Sequence, residues 1–344
     1  MTDTPPASGD LARALLPDME RITWDRHGEM ALANIRRNAE LAGRGRSLAA
    51  LRDADVGKGD SAIVVAAGPS LRRLDPIKAI KDGGYRGALV VTESAIAYCL
   101  KAGVVPHLVV SVDPHPKRIV RWLGDPELDE KAVKDDDYYR RQDMDPSFAD
   151  EIRHNRELLA LLDRHGKSMR IALSTSASEA VVRRATEVGM EIFWWNPMLD
   201  DPEAPDSRTR MAWRLNRFPC VNAGGNVGTS CWMMAHAVLG KKNVALTGMD
   251  FAYYDGTPYS STQYYQEALA LVGEKELPRL YPRFLNPHTN TWFYTDPAYL
   301  WYREAFLEMV KDADCVTFNC TGGGILFGEG IEHMRIQEFI DSHS

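Results

Sequence analysis

The sequence predicts an α/β protein with a Rossmann-like, doubly wound and mostly parallel sheet. Three observations carry this. Short apolar runs, beginning with residues 63–67, fit strands buried on both faces of a parallel sheet. Such runs alternate with helical patterns from residue 61 onward. The runs end in Gly-Pro-Ser, Thr-Glu-Ser or Asp-Pro, the turn chemistry expected beyond the carboxyl ends of strands.

Residues 1–8 are polar and Pro-rich and are read as disordered. Residues 9–60 form a helical N-terminal segment and a link. Leu11, Leu15, Met19, Ile22, Met30, Ile35 and Leu41 recur at helical spacing, Gly28 is expected to split the pattern in two, and glycines make 42–60 loop-rich. Residues 61–344 are read as a Rossmann-like nucleotide-binding catalytic domain with lid-like insertions at 124–168, 196–220 and 251–295.

In the first strand–turn–helix, Gly68 tolerates an unusual backbone, Pro69 fixes φ, and Ser70 is expected to cap a helix over 71–82. A helix N-terminus of this kind holds an anion, and Gly68, Pro69, Ser70 and Leu71 are assigned to a nucleotide phosphate. The plain alternative is a capped βα turn. Residues 88–92 form a second strand ending in Glu93 and Ser94. Residues 107–112 form a third, ending in Asp113, which is placed at a switch point of the sheet. Asp135-Asp136-Asp137 in the first insertion reads as a solvated turn. Strands follow at 169–175 and 191–195. Arg208, Arg210, Arg214 and Arg217 in the second insertion are offered to an anionic ligand or to solvent.

A second glycine-rich junction, Asn222-Ala223-Gly224-Gly225-Asn226-Val227-Gly228-Thr229, leads into an apolar helix. Its asparagines and Thr229 offer directed hydrogen bonds, and its glycines serve either close ligand approach or helix–sheet packing. The strand 243–247 ends in Gly248-Met249-Asp250. The aromatic segment 251–295 suits a lid over a base or sugar ring, or a cap packed on the sheet. A helix over 296–311, a strand at 315–319, the turn Thr321-Gly322-Gly323 and a final helix near 331–342 complete the chain.

Composition narrows the function. The 344 residues are 44% hydrophobic and 26% charged, and the net charge of -7 argues against a general nucleic-acid surface. No apolar run is long enough to span a membrane, and the N-terminus lacks a signal-peptide pattern, so a cytoplasmic location is expected. Five cysteines without a CxxC support neither a disulfide framework nor a zinc site. P-loop, G-x-G-x-x-G, G-x-S-x-G and H-E-x-x-H motifs are absent.

Five patterns occur in order. They are Ala67-Gly68-Pro69-Ser70-Leu71; Gly103-x-x-Pro106-x-x-Val109-x-Ser111-x-Asp113-Pro114; Asn222-x-Gly224-x-x-Val227-Gly228; Leu239-Gly240-x-x-Asn243-x-x-Leu246-x-Gly248-x-Asp250-Phe251; and Asn319-x-Thr321-x-Gly323-Gly324-x-x-x-Gly328. Together they resemble the superfamily that joins the Maf (motility accessory factor) flagellin glycosyltransferases and the MptE-like hydroxymethylpterin pyrophosphokinases. More distantly they resemble bacterial sialyltransferases that use CMP-sialic acid. Maf proteins are usually longer, with flanking domains, and the pyrophosphokinases lack insertions such as 124–168 and 196–220.

The resemblance implies a transferase. In the favoured reading it moves a nonulosonic (sialic-like) acid from a CMP-activated donor to a hydroxyl of a flagellin-like protein or of a glycan. Gly68, Pro69, Ser70, Leu71, Glu93, Ser94, Asn222, Gly224, Gly225, Asn226, Gly228, Thr229, Thr321, Gly322 and Gly323 would hold the nucleotide. Asp113, Asp250 and His288 would be catalytic, His288 as the base. The alternative moves pyrophosphate from ATP to a pterin alcohol; Mg²⁺ enters only there, with Asp113 and Asp250 converging on one ion. A third reading is a non-catalytic nucleotide-sugar binding factor, with the N-terminal helices as a partner surface.

Overall fold

A computed structural model describes residues 9–135 and 151–343. Its backbone is a parallel sheet whose strands are β1 (Arg46–Ser47), β2 (Ser61–Val65), β3 (Ala88–Thr92), β4 (Leu108–Ser111), β5 (Arg170–Ser174), β6 (Glu191–Pro197), β7 (Cys220–Val221) and β8 (Asn243–Thr247). After a separate antiparallel sheet of β9 (Tyr253–Tyr254), β10 (Arg283–Asn286) and β11 (Thr291–Tyr294), the chain adds β12 (Val316–Asn319) and β13 (Ile331–His333). The parallel order is β1-β6-β5-β4-β3-β2-β8-β12-β13, with β7 beside β6. The α/β doubly wound expectation is borne out. Strands β2 to β6 march to one edge, whereas β8, β12 and β13 march to the other, so the order reverses between β2 and β8. In open α/β sheets that reversal opens a crevice at the strand ends.

The side-chain period of two explains why these strands read as unbroken apolar runs. Ile63, Val65, Leu89, Val91, Val109 and Ile171 enter one core. It is closed by α3 (Pro69–Leu74), α4 (Pro76–Asp82), α5 (Ile96–Lys101) and three later helices. Ala62, Val64, Val90, Val110 and Ala172 enter the other. That side is closed by the helix Val227–Met233 with Cys231 and Trp232, and by the helix Pro297–Lys311 with Phe306 and Val310. Both faces are therefore covered.

The N-terminal segment holds α1 (Asp10–Leu15) and α2 (Met19–Ala39). The break falls at Pro17, and α2 runs through Gly28, where the Trp24 indole occupies the space of any side chain. Two asparagines four residues apart clasp α2 to the sheet. Asn34 Nδ2 donates to the carbonyls of Pro114 (3.0 Å) and Ser176 (2.8 Å), and Asn38 Nδ2 to those of Thr175 and Ala177 (both 2.8 Å). Helix α2 thus covers the carboxyl ends of β4 and β5, and the link after it adds β1 to the sheet.

Several local expectations are corrected. The helix expected over 71–82 is two helices, because Pro76 cannot continue α3; Asp75 turns the chain at φ 45° and its carboxylate accepts from Lys78 N–H. The final helix starts only at Ile336, since 331–333 pair with β12. In the first insertion, α6 (Glu130–Asp135) ends at Asp135, and Asp136 and Asp137 lie outside the described residues, as do residues 1–8. Helix α7 (Glu151–His165) sends Leu158 and Leu162 into the core. Helix α8 (Glu179–Glu187) follows β5, and α9 (Arg208–Asn216) occupies the second insertion. There Arg210 binds the carbonyls of Pro202, Ala204 and Pro205 and Arg217 lies over Trp213, within the insertion, while Arg208 lies over Trp24 of α2. In the aromatic segment, Tyr253, Tyr281 and Tyr294 bury against Ala268, Leu277 and Leu280, so this part is a cap with its own core.

Candidate functional site

The strand ends form a rim with two unlike halves. At the β2/β8 reversal the backbone crowds. A methyl group on Gly68 would collide with the Asp250 carboxylate and the Gly248 carbonyl, and one on Gly324 would strike the Asp250 backbone. Asp250 is 1% exposed. Its Oδ2 accepts from Ser70 Oγ at 2.7 Å and from Ser70 N–H at 3.3 Å, and its Oδ1 has no hydrogen-bond partner. Burial pushes this carboxyl up to about 7, against the opposing pull of the Ser70 hydrogen bonds.

The expected Ser70 cap is therefore corrected. Gly68 stands at the cap position without a side-chain bond, and Ser70 spends its hydroxyl and its N–H on Asp250, facing inward. Leu71 is buried in the core. Thr321 closes the same turn from the other side, donating its N–H to Asn319 and accepting from Met249 N–H. Gly322 is exposed, and Gly323 lies under the Tyr254 ring. This half is a built support.

The β3/β4 half is different. Glu93, just past β3, is 4% exposed and its Oε2 has no partner. Burial pushes its carboxyl up to about 8, and the charge of Asp113 at the neighbouring strand end adds to the push. At neutral pH Glu93 is thus mainly the neutral acid. Asp113 is half-buried, with Oδ1 accepting from His115 N–H at 2.7 Å. Ser94 Oγ shares a 3.0 Å hydrogen bond with Thr92.

Above these groups stands helix α10 (Val227–Met233), whose buried Cys231 feels the Glu93 charge. Asn226 caps it, its Oδ1 accepting from Thr229 N–H at 2.9 Å, and Asn222 folds the preceding turn by accepting from Gly224 N–H. Gly225, at φ 77°, is required by contact: a side chain there would enter the Trp301 and Tyr302 rings. Gly228 likewise abuts Met249. After α11 (Tyr265–Val272) and α12 (Leu277–Leu280), helix α13 (Pro297–Lys311) supplies Tyr302. Burial raises the Tyr302 hydroxyl to about 12, with the charges of Asp296 and Asp113 adding and Arg26 of α2 opposing. Its oxygen lies 3.4 Å from Tyr264 Oη. Glu93, Asp113, the 222–229 turn, Tyr302 and α2 thus surround one end of the rim.

Two expectations fail here. Asp113 is not at the switch point; Asp250 is. Asp113 and Asp250 are separated by three strand spacings, roughly 14 Å at about 4.8 Å each, so they do not converge on one ion. Among the described residues no group of three or more His, Cys, Asp or Glu side chains gathers at metal-ligand spacing. His288 lies in the β10–β11 turn, on the Asp250 side. Its ring stacks on His333 of β13 at 3.3 Å, and Asn286 ties the turn to Gly324 O. Burial and the His288 charge lower the His333 imidazole to about 4. His288 therefore sits beside the outer edge of the sheet, not over Asp113.

The reading from sequence missed Tyr302 and the covering role of α2. For α2 a signal existed: Asn34 and Asn38, poor helix formers, sit one turn apart on a face that also carries Ala31 and Ile35.

Residues 31–123, from α2 through β4 and the turn beyond it, match the family described as 6-hydroxymethylpterin diphosphokinase MptE-like. Among solved structures, a Maf glycosyltransferase from Magnetospirillum magneticum AMB-1 is similar at 15% identity and a TM-score of 0.53. The match covers 90% of this chain but 38% of the other, so the chain spans well under half that protein's length. No curated protein matches. The resemblance to the Maf/MptE-like superfamily holds, and the shared feature is the fold.

Proposed function

We propose that this chain is a transferase acting on a nucleotide-activated sugar, with a CMP-linked nonulosonic acid as donor and a hydroxyl as acceptor. The observation that carries the reading is the pair of strand-end carboxylates in unlike environments. Glu93 is buried and held neutral, whereas Asp113 is half-buried beside it. A carboxyl held neutral by burial beside a more exposed carboxyl group divides acid and base roles between them. Asp113 takes the proton of the acceptor hydroxyl, and Glu93 donates to the phosphate oxygen of the departing nucleotide. Ser94, the Asn226-capped start of α10 and Tyr302 supply further donors for the nucleotide. Gly68, Pro69, Ser70 and Asp250 fix the floor. The acceptor is a protein or a glycan.

The family match over 31–123 favours a second reading, pyrophosphate transfer from ATP to a pterin alcohol. That chemistry calls for carboxylates gathered on Mg²⁺, and the separation of Asp113 from Asp250 weighs against it. Thermal unfolding with CMP and with Mg·ATP, each at millimolar concentration, decides between them. We expect CMP to raise the melting temperature by several degrees and Mg·ATP to leave it unchanged. Stabilisation by Mg·ATP alone would overturn the proposal in favour of the kinase; no effect of either would overturn both.

A further inference from the structure

The small antiparallel sheet carries a second concavity, away from the rim. A cavity of about 250 Å³ is lined by Asp255, Gly256, Thr257, Tyr259, Arg283 and Tyr294. It lies below the ~300–1,000 Å³ of pockets that enclose drug-sized ligands. One sugar ring fits that size class; a nucleotide does not.

Its walls have mixed chemistry. Arg283 Nη2 donates to Asp255 Oδ2 at 2.8 Å, and both side chains are half exposed to a ligand. The pair leaves a carboxylate oxygen as acceptor and guanidinium N–H groups as donors, the set that grips two vicinal hydroxyls. Tyr259 is fixed against Tyr281, ring centroids 4.3 Å apart and nearly parallel, and edge-on to Tyr294. Tyr294 Oη donates to Thr257 O at 2.8 Å, setting the loop that forms one wall.

Beside the cavity the sheet exposes two large apolar side chains, Trp292 at 45% and Leu285 at 42%. They are direct cross-strand partners, so they share one face with Arg283 and Tyr294, themselves a cross-strand pair. The Arg283 guanidinium lies 5.2 Å from the Trp292 ring centroid. An exposed indole next to an Asp–Arg pair matches a pyranose, whose C–H face stacks on an aromatic ring while its hydroxyls meet charged groups.

We propose that this cavity and the Trp292 platform form a carbohydrate subsite for one sugar unit of a glycan. Its role rests on the glycosyl-transfer reading, where it would hold the acceptor. Asp255 follows Asp250 by five residues, so their Cα atoms lie within about 18 Å of each other. A glycan of a few units bound here has the length to reach the Asp250 side of the rim. The acceptor class is then an oligosaccharide.

The test is saturation-transfer NMR on the full chain with maltotriose, chitotriose and 3′-sialyllactose at millimolar concentration. We expect at least one to bind, with affinity falling at least tenfold in W292A and in D255N, while the CMP-induced thermal shift is unchanged in both. Both side chains are exposed, and the melting temperatures of the two variants check folding. Binding by none of the three overturns the subsite. So does binding that survives both substitutions, or that CMP displaces. Self-association in ultracentrifugation that W292A abolishes would assign the face to a second copy instead. If the sugar binds here but Mg·ATP alone stabilises the chain, the subsite stands and the glycosyl-transfer reading fails.

Discussion

The two halves of the rim were built from similar raw material and came out opposite. Each is a set of parallel strand ends with a carboxylate and a glycine-rich turn. At β2/β8 the glycines let backbones touch, and one oxygen of Asp250 takes both the hydroxyl and the N–H of Ser70 while the other has no partner. At β3/β4 the glycine turn packs against the Trp301 and Tyr302 rings, and Glu93 keeps an oxygen without a partner. Glycine density therefore marks where chains cross closely, and what separates the two carboxyl groups is that Ser70 ties Asp250 in place whereas among the described residues no side-chain hydrogen bond to Glu93 is seen.

The largest expected effect tests that contrast at Asp113. Asp113→Asn preserves shape and removes the proposed base. Release of CMP from a CMP-activated nonulosonic acid should fall by about 10²–10⁴-fold, with the CMP thermal shift retained. Full turnover in the variant would remove Asp113 from the chemistry. The contrast itself would fail if Asp250→Asn lost turnover equally without losing stability.

The second effect is on the support. Gly68→Ala places a methyl group against the Gly248 carbonyl, which is backbone, and the Asp250 carboxylate, which Ser70 holds. Overpacking of this sort costs about 1–3 kcal/mol. Chemical denaturation should show a lower midpoint with an unchanged slope. A variant as stable as the parent would mean that the turn yields, and that the β2/β8 half is less rigid than the geometry implies.

How much of this was legible in the sequence follows from range. Runs such as 61–65 and 88–92 announce buried parallel strands because the information is local. The choice of neighbours is not local. Ser70 and Asp250 are 180 residues apart, and their hydrogen bond reverses what the serine does. Likewise Asp113 is a strand-end carboxylate on any reading, but only the strand order reveals that the switch lies three strands away, at Asp250. Glu93 was assigned to nucleotide binding by its position. Its neutrality depends on burial beneath α10 and on Asp113, neither of which a linear pattern records. Pro17 and Pro76 were stronger breaks than Gly28, because proline forbids what glycine merely fails to favour.

The smallest effect is the sharpest probe of Glu93. A carboxyl raised by burial binds a proton more tightly in the folded chain than in the unfolded one. Its contribution is therefore fully present below about pH 4 and is lost as pH climbs to its folded value. For Asp250 that loss runs to about 7 and tails off beyond it, whereas for Glu93 it continues to about 8. Lowered histidines such as His333 act with the opposite sign, but only between about 4 and the ordinary imidazole value near 6.5. The difference between the parent and Glu93→Gln across pH 7 to 8 thus isolates Glu93, because the tail from Asp250 is common to both proteins. One proton difference is worth about 1.4 kcal/mol per pH unit, so the parent should lose ~1 kcal/mol across that interval. Glu93→Gln cannot titrate and should lose much less. Denaturation midpoints at the two pH values read this directly. Equal losses in both proteins would mean that Glu93 is ionised at neutral pH, and the acid role assigned to it would have to pass to another group on the rim.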